Sequence, residues 1–316
     1  MAAIKFGVKT GQAGYSYEDL KKLWTNADEL GYDSAWLYDH FFPPDDRRAP
    51  CLEAWTTLAA FAAATKRLKL GTMVTSISYR HPSVLAKMAT TVDIISNGRL
   101  IMGVGAGWYE EEYLAYGYDF PIQRTRIRQL KEALIVTRKL WTEERTTFNG
   151  QFYSLHDAIS SPKPRQSGGP PIIVGIMTGK RSLPLLAVRY GDGFNTPSPL
   201  EECKAILASI RENCERYGRR TDDLIASWQG SILIGESQSE IERIMERSAK
   251  RNGQSLSAFR QRAIELGWII GLPDECTREL RKFKEIGINH IILNFSNDTE
   301  SLPLELFMDE VVPQLR

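Results

Sequence analysis

Five short stretches hold the residues whose types and spacing suit chemistry. Asp39-His40 follows a strand-like run, Ser34-Ala35-Trp36-Leu37-Tyr38. A histidine there can shuttle a proton near neutral pH or hydrogen-bond a cofactor ring; the plainer reading is a structural histidine at a strand end. Glycine alternates through Gly103-Val104-Gly105-Ala106-Gly107-Trp108. Glycine lets main chain approach a ligand closely and take positive φ, so this loop suits a flat or anionic cofactor. It is a poor dinucleotide fingerprint, because Trp108 stands where the sixth-position glycine belongs. Gly175-Ile176-Met177-Thr178-Gly179-Lys180, followed by Arg181, joins an apolar strand to a helix. Main-chain N–H groups at a helix start hold phosphate, and Thr178, Lys180 and Arg181 add donors; a glycine-bearing turn with two solvated cations is the alternative. Thr72, Thr75, Ser76 and Ser78 can line a pocket floor, although threonine is also an ordinary strand residue. Last, Trp108-Tyr109-Glu110-Glu111-Glu112 sets two aromatics beside three carboxylates, a stacking surface with an acid. The competing reading is a solvated acidic helix start favoured by the helix dipole.

The elements that must position these residues alternate. Ile4 to Val8 patterns as a strand, and Tyr17 to Leu30 has helical spacing that stops at Gly31. Ser34 to Tyr38 is a second strand, Glu53 to Thr65 an alanine-rich helix, Leu68 to Val74 a third strand. Pro82 opens a helix that runs to Ile95, and Asn97-Gly98 turns into a fourth strand ending in the glycine run. The second half continues with a helix from Arg124 to Trp141 and a hairpin about Asn149-Gly150. Strands follow at Pro171 to Gly175, Asp192 to Asn195, Ile225 to Ile234 and Asn289 to Asn294. Helices are expected at 180–190, 200–217, 273–286 and 302–315. Eight strands with helices between them predict an α/β fold, a (β/α)₈ TIM barrel; a doubly wound open sheet is the runner-up. The barrel is favoured because the glycine run follows the fourth strand rather than the first. It would also bring the strand ends, with Asp39-His40, Thr75-Ser76, Gly103 to Gly107 and Gly175 to Gly179, to one mouth. The chain is read as one barrel domain over 1–316, with a hairpin excursion at about 143–170 and a helical insertion at about 237–266, after the seventh strand.

Composition narrows the function. A net charge of +1 over 316 residues argues against a nucleic-acid surface or a polybasic membrane patch. No apolar run reaches membrane-spanning length, and Met1 to Phe6 enters a strand pattern directly. Cys51, Cys203, Cys214 and Cys276 are scattered without a Cys-x-x-Cys pair, and His40, His81, His156 and His290 lie far apart. The expectation is a reduced, cytoplasmic protein with no metal centre. Trp36 and Trp55 are expected in the core.

Taken together, several segments resemble the bacterial luciferase-like superfamily of flavin and deazaflavin oxidoreductases. They are Trp36-Leu37-Tyr38-Asp39-His40, Glu53-Ala54-Trp55-Thr56-Thr57-Leu58, Leu70-Gly71-Thr72-Met73-Val74-Thr75, Tyr79-Arg80-His81-Pro82, Gly98-Arg99-Leu100, Gly103 to Trp108, Arg189-Tyr190-Gly191-Asp192-Gly193-Phe194 and Gly287-Ile288-Asn289-His290-Ile291. Their order covers nearly the whole chain. The branch they look most like uses the deazaflavin coenzyme F420.

The resemblance implies a cofactor lying across the barrel mouth. Asp39 would hydrogen-bond its ring, and His40 would be the catalytic proton relay near the reactive carbon. Met73-Val74 falls where these enzymes carry a non-prolyl cis peptide against the ring, and Thr75 and Ser76, next in sequence, are counted with the cofactor site. Gly105, Ala106 and Gly107 would pass beside the cofactor, and Gly175, Ile176, Met177, Thr178, Gly179 and Lys180 would receive its phosphate. Members that oxidise a sugar phosphate carry a glutamate where Trp108 stands, so that substrate and that acid are not carried over. Trp108, Tyr109 and Glu111 are read instead as the substrate pocket, with Tyr79 nearby, which suits a flat or apolar substrate. The implied function is F420-dependent hydride transfer. The alternatives are an FMN-dependent monooxygenase with a partner reductase, and a non-catalytic ligand-binding barrel. The superfamily resemblance and the small residues of Leu58 to Ala64 also imply a homodimer.

Overall fold

The structure is a computed structural model that describes residues 3–44, 46–177, 181–295 and 302–316. Strands and helices alternate from the start: β1 (Lys5–Lys9), α1 (Tyr17–Leu30), β2 (Ser34–Leu37), α2 (Ala54–Ala64), β3 (Lys69–Ser76), α3 (Pro82–Ile95) and β4 (Leu100–Gly105). Then come α4 (Glu110–Ala115), α5 (Gln123–Thr142) and the hairpin β5 (Thr146–Asn149) and β6 (Ser154–Ala158). The alternation resumes with β7 (Ile172–Gly175), α6 (Ser182–Tyr190), β8 (Gly193–Thr196), α7 (Leu200–Tyr217) and β9 (Ile225–Ile234). After α8 (Gln238–Arg251), α9 (Leu256–Glu265) and β10 (Ile269–Gly271) the chain runs through α10 (Pro273–Ile286) and β11 (His290–Phe295) to a last helical stretch.

Eight of these strands close into a parallel barrel in the order β1-β2-β3-β4-β7-β8-β9-β11, with β11 pairing back onto β1. The predicted TIM barrel is the fold, and the open sheet is excluded by that closure. The insertion after the seventh barrel strand holds two helices over a small core of its own, Leu233, Ile241, Ile244, Met245, Ala249 and Phe259. It also contains β10, which sequence reasoning did not anticipate. Ile269 pairs with Ile232, extending the sheet outside the barrel. A three-residue strand has too little pattern to stand out behind a polar segment.

Local signals place the first helix firmly. Ser16 and Asp19 cap α1 reciprocally, and Gly31 ends it at φ +94. Alternation along each strand sends one set of side chains outward to the helices and the other into the barrel. The outward set joins Phe6, Val8, Leu37, Leu70, Val104, Val174 and Phe194 to the helical layer in one large core. The inward set is separate: Trp36, Met73, Ile101, Ile173 and Ile292, with Val74 and Ile225 against them. Trp36 fills the axis because Gly71 stands beside it; a Cβ on Gly71 would lie 2.7 Å from the indole. Below it, the Trp36 indole N–H donates to Ser34 Oγ at 2.8 Å, and Ser34 meets His290 Nε2 at 2.8 Å. Burial, aided by the charge of Lys5, pushes His290 down to about 3. It is therefore a neutral structural histidine.

β3 and β4 pair with a shift of register between Thr72 and Thr75, where the Met73–Val74 peptide is cis, as the resemblance implied. The strands run close enough that a Cβ on Gly103 would land on the Thr72 carbonyl oxygen. Gly103→Ala is expected to destabilise the fold by at least the ~1–3 kcal/mol of ordinary overpacking, because main chain must move. Urea denaturation at constant m-value measures it; an unchanged midpoint contradicts the close approach.

Candidate active site

The loops at the C-terminal ends of the strands enclose a cavity of about 360 Å³ on the barrel axis. Of the residues singled out in the sequence, Asp39, His40, Met73, Val74, Ser76, Gly107, Trp108, Tyr109, Gly175, Ile176 and Met177 line it. Thr178, Gly179 and Lys180 lie outside the described residues.

Four predicted site residues stand elsewhere. Thr75 is buried away from the cavity, where its hydroxyl meets Thr72 Oγ1 at 2.7 Å and accepts from the Trp55 indole at 2.9 Å. Gly105 stands behind Val74, since a Cβ there would lie 2.7 Å from Val74 Cγ2. Ala106 packs against the outer core. Glu111 is exposed and paired with Arg47, and it accepts from the Tyr109 hydroxyl at 3.0 Å. It belongs to the rim, not to the pocket.

His40 has a fixed orientation. Its Nδ1 lies 2.7 Å from Glu112 Oε2. Glu112 is fully buried at the N-terminal end of α4, and its carboxylate takes three more donors: the main-chain N–H of Phe41 at 2.6 Å, that of Phe42 at 3.3 Å and the Tyr79 hydroxyl. Burial pushes the Glu112 carboxyl up. The hydrogen bonds from His40 and Tyr79, the charge of His40 and the Phe41 N–H together outweigh this and hold it below its ordinary value. An ionised carboxylate only accepts, so Nδ1 carries a proton and Nε2 on the opposite edge of the ring is the basic nitrogen. Tyr38, Trp108 and Tyr109 box the imidazole with ring centroids 5.3, 5.8 and 6.2 Å away.

The solvated acidic helix start expected here is therefore corrected for one of its three glutamates. Glu112 was not singled out as a site residue, because a run of three glutamates gives no cue to which one turns inward. Tyr113 gave an indirect signal: a large aromatic next in sequence marks the buried face of a short helix.

The loop after β2 is held from a second side. Arg80 donates to both oxygens of Asp39, at 2.7 and 3.0 Å, and to Glu53 at 2.6 Å. Burial raises the Asp39 carboxyl against the pull of Arg80. The Asp39 carboxylate thus anchors the loop that presents His40, and Asp39 also lines the cavity in which the ring contact is expected of it. In the sequence Arg80 stands within Tyr79-Arg80-His81-Pro82, and nothing in that run signals this role.

The wall made by β3, β4 and β7 is apolar. Val74 projects among three glycines, with its methyls 3.4, 2.7 and 3.1 Å from the Cβ positions of Gly103, Gly105 and Gly175. The glycine alternation of β4 thus makes room for Val74. Gly107 adopts φ +80, and a Cβ there would overlap the Tyr113 hydroxyl, so only glycine suits this position. Lys9, Asn195 and Gln229 make the remaining, polar side, and none of the three was foreseen. A larger hollow of about 610 Å³ lies under the insertion, lined by Arg251, Arg262 and Trp268 among others, and contains none of the predicted residues.

Residues 1–290 match the sequence profile of the luciferase-like monooxygenases. The chain belongs to the luciferase-like monooxygenase family. Among curated luciferase-like relatives, the F420-dependent glucose-6-phosphate dehydrogenase of Amycolatopsis mediterranei (strain U-32) is 28% identical over 339 aligned positions, 99% of both chains. The enzyme of the same name from Intrasporangium calvum is 29% identical over 340, again 99% of both. Among solved luciferase-like structures, an F420-dependent secondary alcohol dehydrogenase in complex with an F420-acetone adduct superposes with a TM-score of 0.85 at 23% identity, covering all of both chains. That likeness establishes the shared barrel.

The family fold leaves one test of the His40–Glu112 pair that needs no substrate. Glu112→Gln removes a buried charged acceptor and is expected to cost about 1.5–3 kcal/mol at pH 7. The Glu112 carboxyl is held below its ordinary 4.5, so its stabilising contribution is complete above that value and is lost as the pH falls below it. The stability gap between wild type and Glu112→Gln, from urea melts, should therefore narrow on acidification. A gap that stays constant or widens down to acid unfolding contradicts the assignment.

Proposed function

We propose that this luciferase-like barrel is an F420-dependent oxidoreductase that exchanges a hydride with a small organic substrate. The observation that carries the reading is one cavity that joins a proton-bearing histidine on a buried carboxylate to an apolar wall built of Val74, Gly107 and Ile176. The F420-dependent names of full-length relatives support it. A cavity of this volume with apolar walls and few polar groups is the usual form of a small-molecule site.

The residues present fit a deazaflavin. Gly107 brings main chain to the cavity without a side chain, Gly175, Ile176 and Met177 line it, and Arg181 follows in sequence as a cation for an anionic tail. When bound, F420 supplies a two-electron hydride carrier. The chain does the rest. Val74, Gly107 and Ile176 give the ring its plane. His40, its Nδ1 held by Glu112, takes a proton at Nε2 from a substrate being oxidised, or returns one when the direction is reversed. Glu112 steadies the imidazolium formed in the first case. Trp108 and Tyr109, stacked with centroids 5.1 Å apart, cover the substrate and keep water from the reacting atoms. Trp108 is half exposed, as a lid residue would be.

The deciding experiment titrates the protein with F420 and with FMN, following absorbance and fluorescence. Saturable micromolar binding of F420 alone is expected. Binding of FMN alone would move the protein to the monooxygenase reading, and binding of neither to a non-catalytic barrel. On a panel of sugar phosphates, alcohols and cyclic enones, apolar members should be preferred. His40→Ala should then lower kcat by ~10²–10⁴-fold while F420 affinity stays within about threefold; unchanged turnover across the pH range rejects the relay.

The same reading includes one barrel domain in a reduced, cytoplasmic setting and a homodimer. None of the described helices is long and apolar enough to cross a membrane. The dimer surface we favour is the outer face of α2 and α3, where Ala63, Val84, Ile94 and Ile95 are exposed. Light scattering should give twice the chain mass of 35.8 kDa; a monomer at micromolar concentration refutes it.

A further inference from the structure

The proposed mechanism gives no role to one charge in the cavity. Lys9 ends β1. Gly7, two residues earlier, faces the barrel interior, since a Cβ there would lie 3.1 Å from Trp36 Nε1 and 3.3 Å from His290 Nε2. Strand alternation turns Lys9 the same way, and it lines the cavity. Its ammonium has no hydrogen-bond or ion-pair partner among the described residues. The neighbouring carboxylates are committed elsewhere, Asp39 to Arg80 and Glu112 to His40. Burial without a counter-charge pushes Lys9 down to about 8. On β9, two strands around the barrel, Gln229 lines the same cavity with a side-chain amide that carries donors as well as an acceptor. Met73, Val74 and Ile176 make the far wall apolar.

A half-buried cation facing an apolar cavity calls for an anionic partner, and the N–H₂ end of the Gln229 amide is a donor that such an anion can also accept from. Two unspent polar groups at one end of an apolar cavity are what fixes the orientation of an amphipathic ligand. We propose that Lys9, with the Gln229 amide N–H₂ as a second donor from β9, is the anion-binding end of the substrate pocket and that the substrate is a small, flat, apolar carboxylate. The word substrate rests on the function proposed above; the anion site itself does not. Its carboxylate pairs with the Lys9 ammonium, and its apolar body lies toward Trp108 and Tyr109.

Isothermal titration with benzoate and its neutral isostere benzamide tests this, on the protein alone and again with saturating F420. Benzoate should bind wild type at least about tenfold more tightly than benzamide, and Lys9→Met should abolish that preference, in keeping with the loss of a charge-assisted contact. Gln229→Leu should weaken benzoate by a smaller factor. It serves as the second route if Lys9→Met does not give the folded circular dichroism spectrum. No benzoate binding by wild type, equal binding of both probes, or full benzoate affinity in Lys9→Met each overturn the proposal. A tenfold loss of F420 affinity in Lys9→Met with benzoate unaffected also overturns it, by placing Lys9 on the cofactor. Failure of wild type to bind F420 would sink the functional reading instead, and the cofactor-free titration would still decide the anion site.

Discussion

The mouth of this barrel depends on one buried carboxylate. Glu112 sits on the short helix after β4, yet its four donors come from elsewhere: His40, Phe41 and Phe42 after β2, and Tyr79 after β3. Three βα loops are thereby tied to a single group. An ionised carboxylate with no access to water is tolerable only when its lone pairs are filled, and here the filling is what sets the loops. Tyr79 is held protonated by its own burial and by Glu112, so it remains a donor. The consequence reaches the imidazole: with Nδ1 committed, the ring has one basic edge and one rotational setting. Arg80 repeats the device on the neighbouring carboxylate, binding Asp39 through both oxygens and Glu53 besides. Buried ion pairs of this kind contribute little net stability. Their effect is geometric, and two of them fix the short loop that carries His40.

The second constraint is steric and belongs to β3, β4 and β7. Parallel strands in a barrel send alternate residues inward, and the inward places of β4 above Ile101 are Gly103 and Gly105. Their missing side chains are matched by the one that is present, Val74. This changes the meaning of the glycine run. Its value to a ligand is indirect: the glycines let Val74 stand forward as the surface a planar ring would meet, and Gly107 alone is open to the cavity.

Much of the fold was legible because period and punctuation agree. The strands at Ile4, Ser34, Leu68, Arg99, Pro171, Asp192, Ile225 and Asn289 each lie beside residues pairing in the barrel, and glycine or proline marked several of the helix ends. The site was legible where function coincides with a strand end, as for His40, Val74, Gly107 and Trp108. It was illegible where a role depends on partners far along the chain. Thr75 and Ser76 are adjacent and chemically alike. A strand turns them to opposite faces, so Ser76 lines the cavity while Thr75 caps Trp55 from behind. Glu111 and Glu112 differ in the same way on a helix, one ion-paired with Arg47 at the rim and the other sealed beneath His40. A residue's type names the chemistry it can do; whether it does so is decided by the half-turn of backbone that faces it inward or outward.

The same reasoning explains why the polar side of the cavity escaped notice. Lys9, Asn195 and Gln229 stand in stretches that read as strand, and a lysine at a strand end is normally solvated. Only barrel closure, which sets β1 beside β11 and β11 beside β9, turns these three toward one space. The resulting asymmetry is chemical as well as geometric. Around His40 three carboxylates, Asp39, Glu53 and Glu112, share one guanidinium, Arg80, and the imidazole. On the neighbouring strand, level with Trp36 and deeper in the barrel, the Lys9 ammonium has no hydrogen-bond or ion-pair partner among the described residues. A ligand bound between them would meet an acid–base imidazole backed by carboxylates at one end and an ammonium at the other. An anionic group is drawn to the ammonium end, which leaves the carbon remote from the charge facing His40. Orientation in this barrel is therefore set by where charge has been left over, and that can be seen only once every buried carboxylate has been assigned its partner.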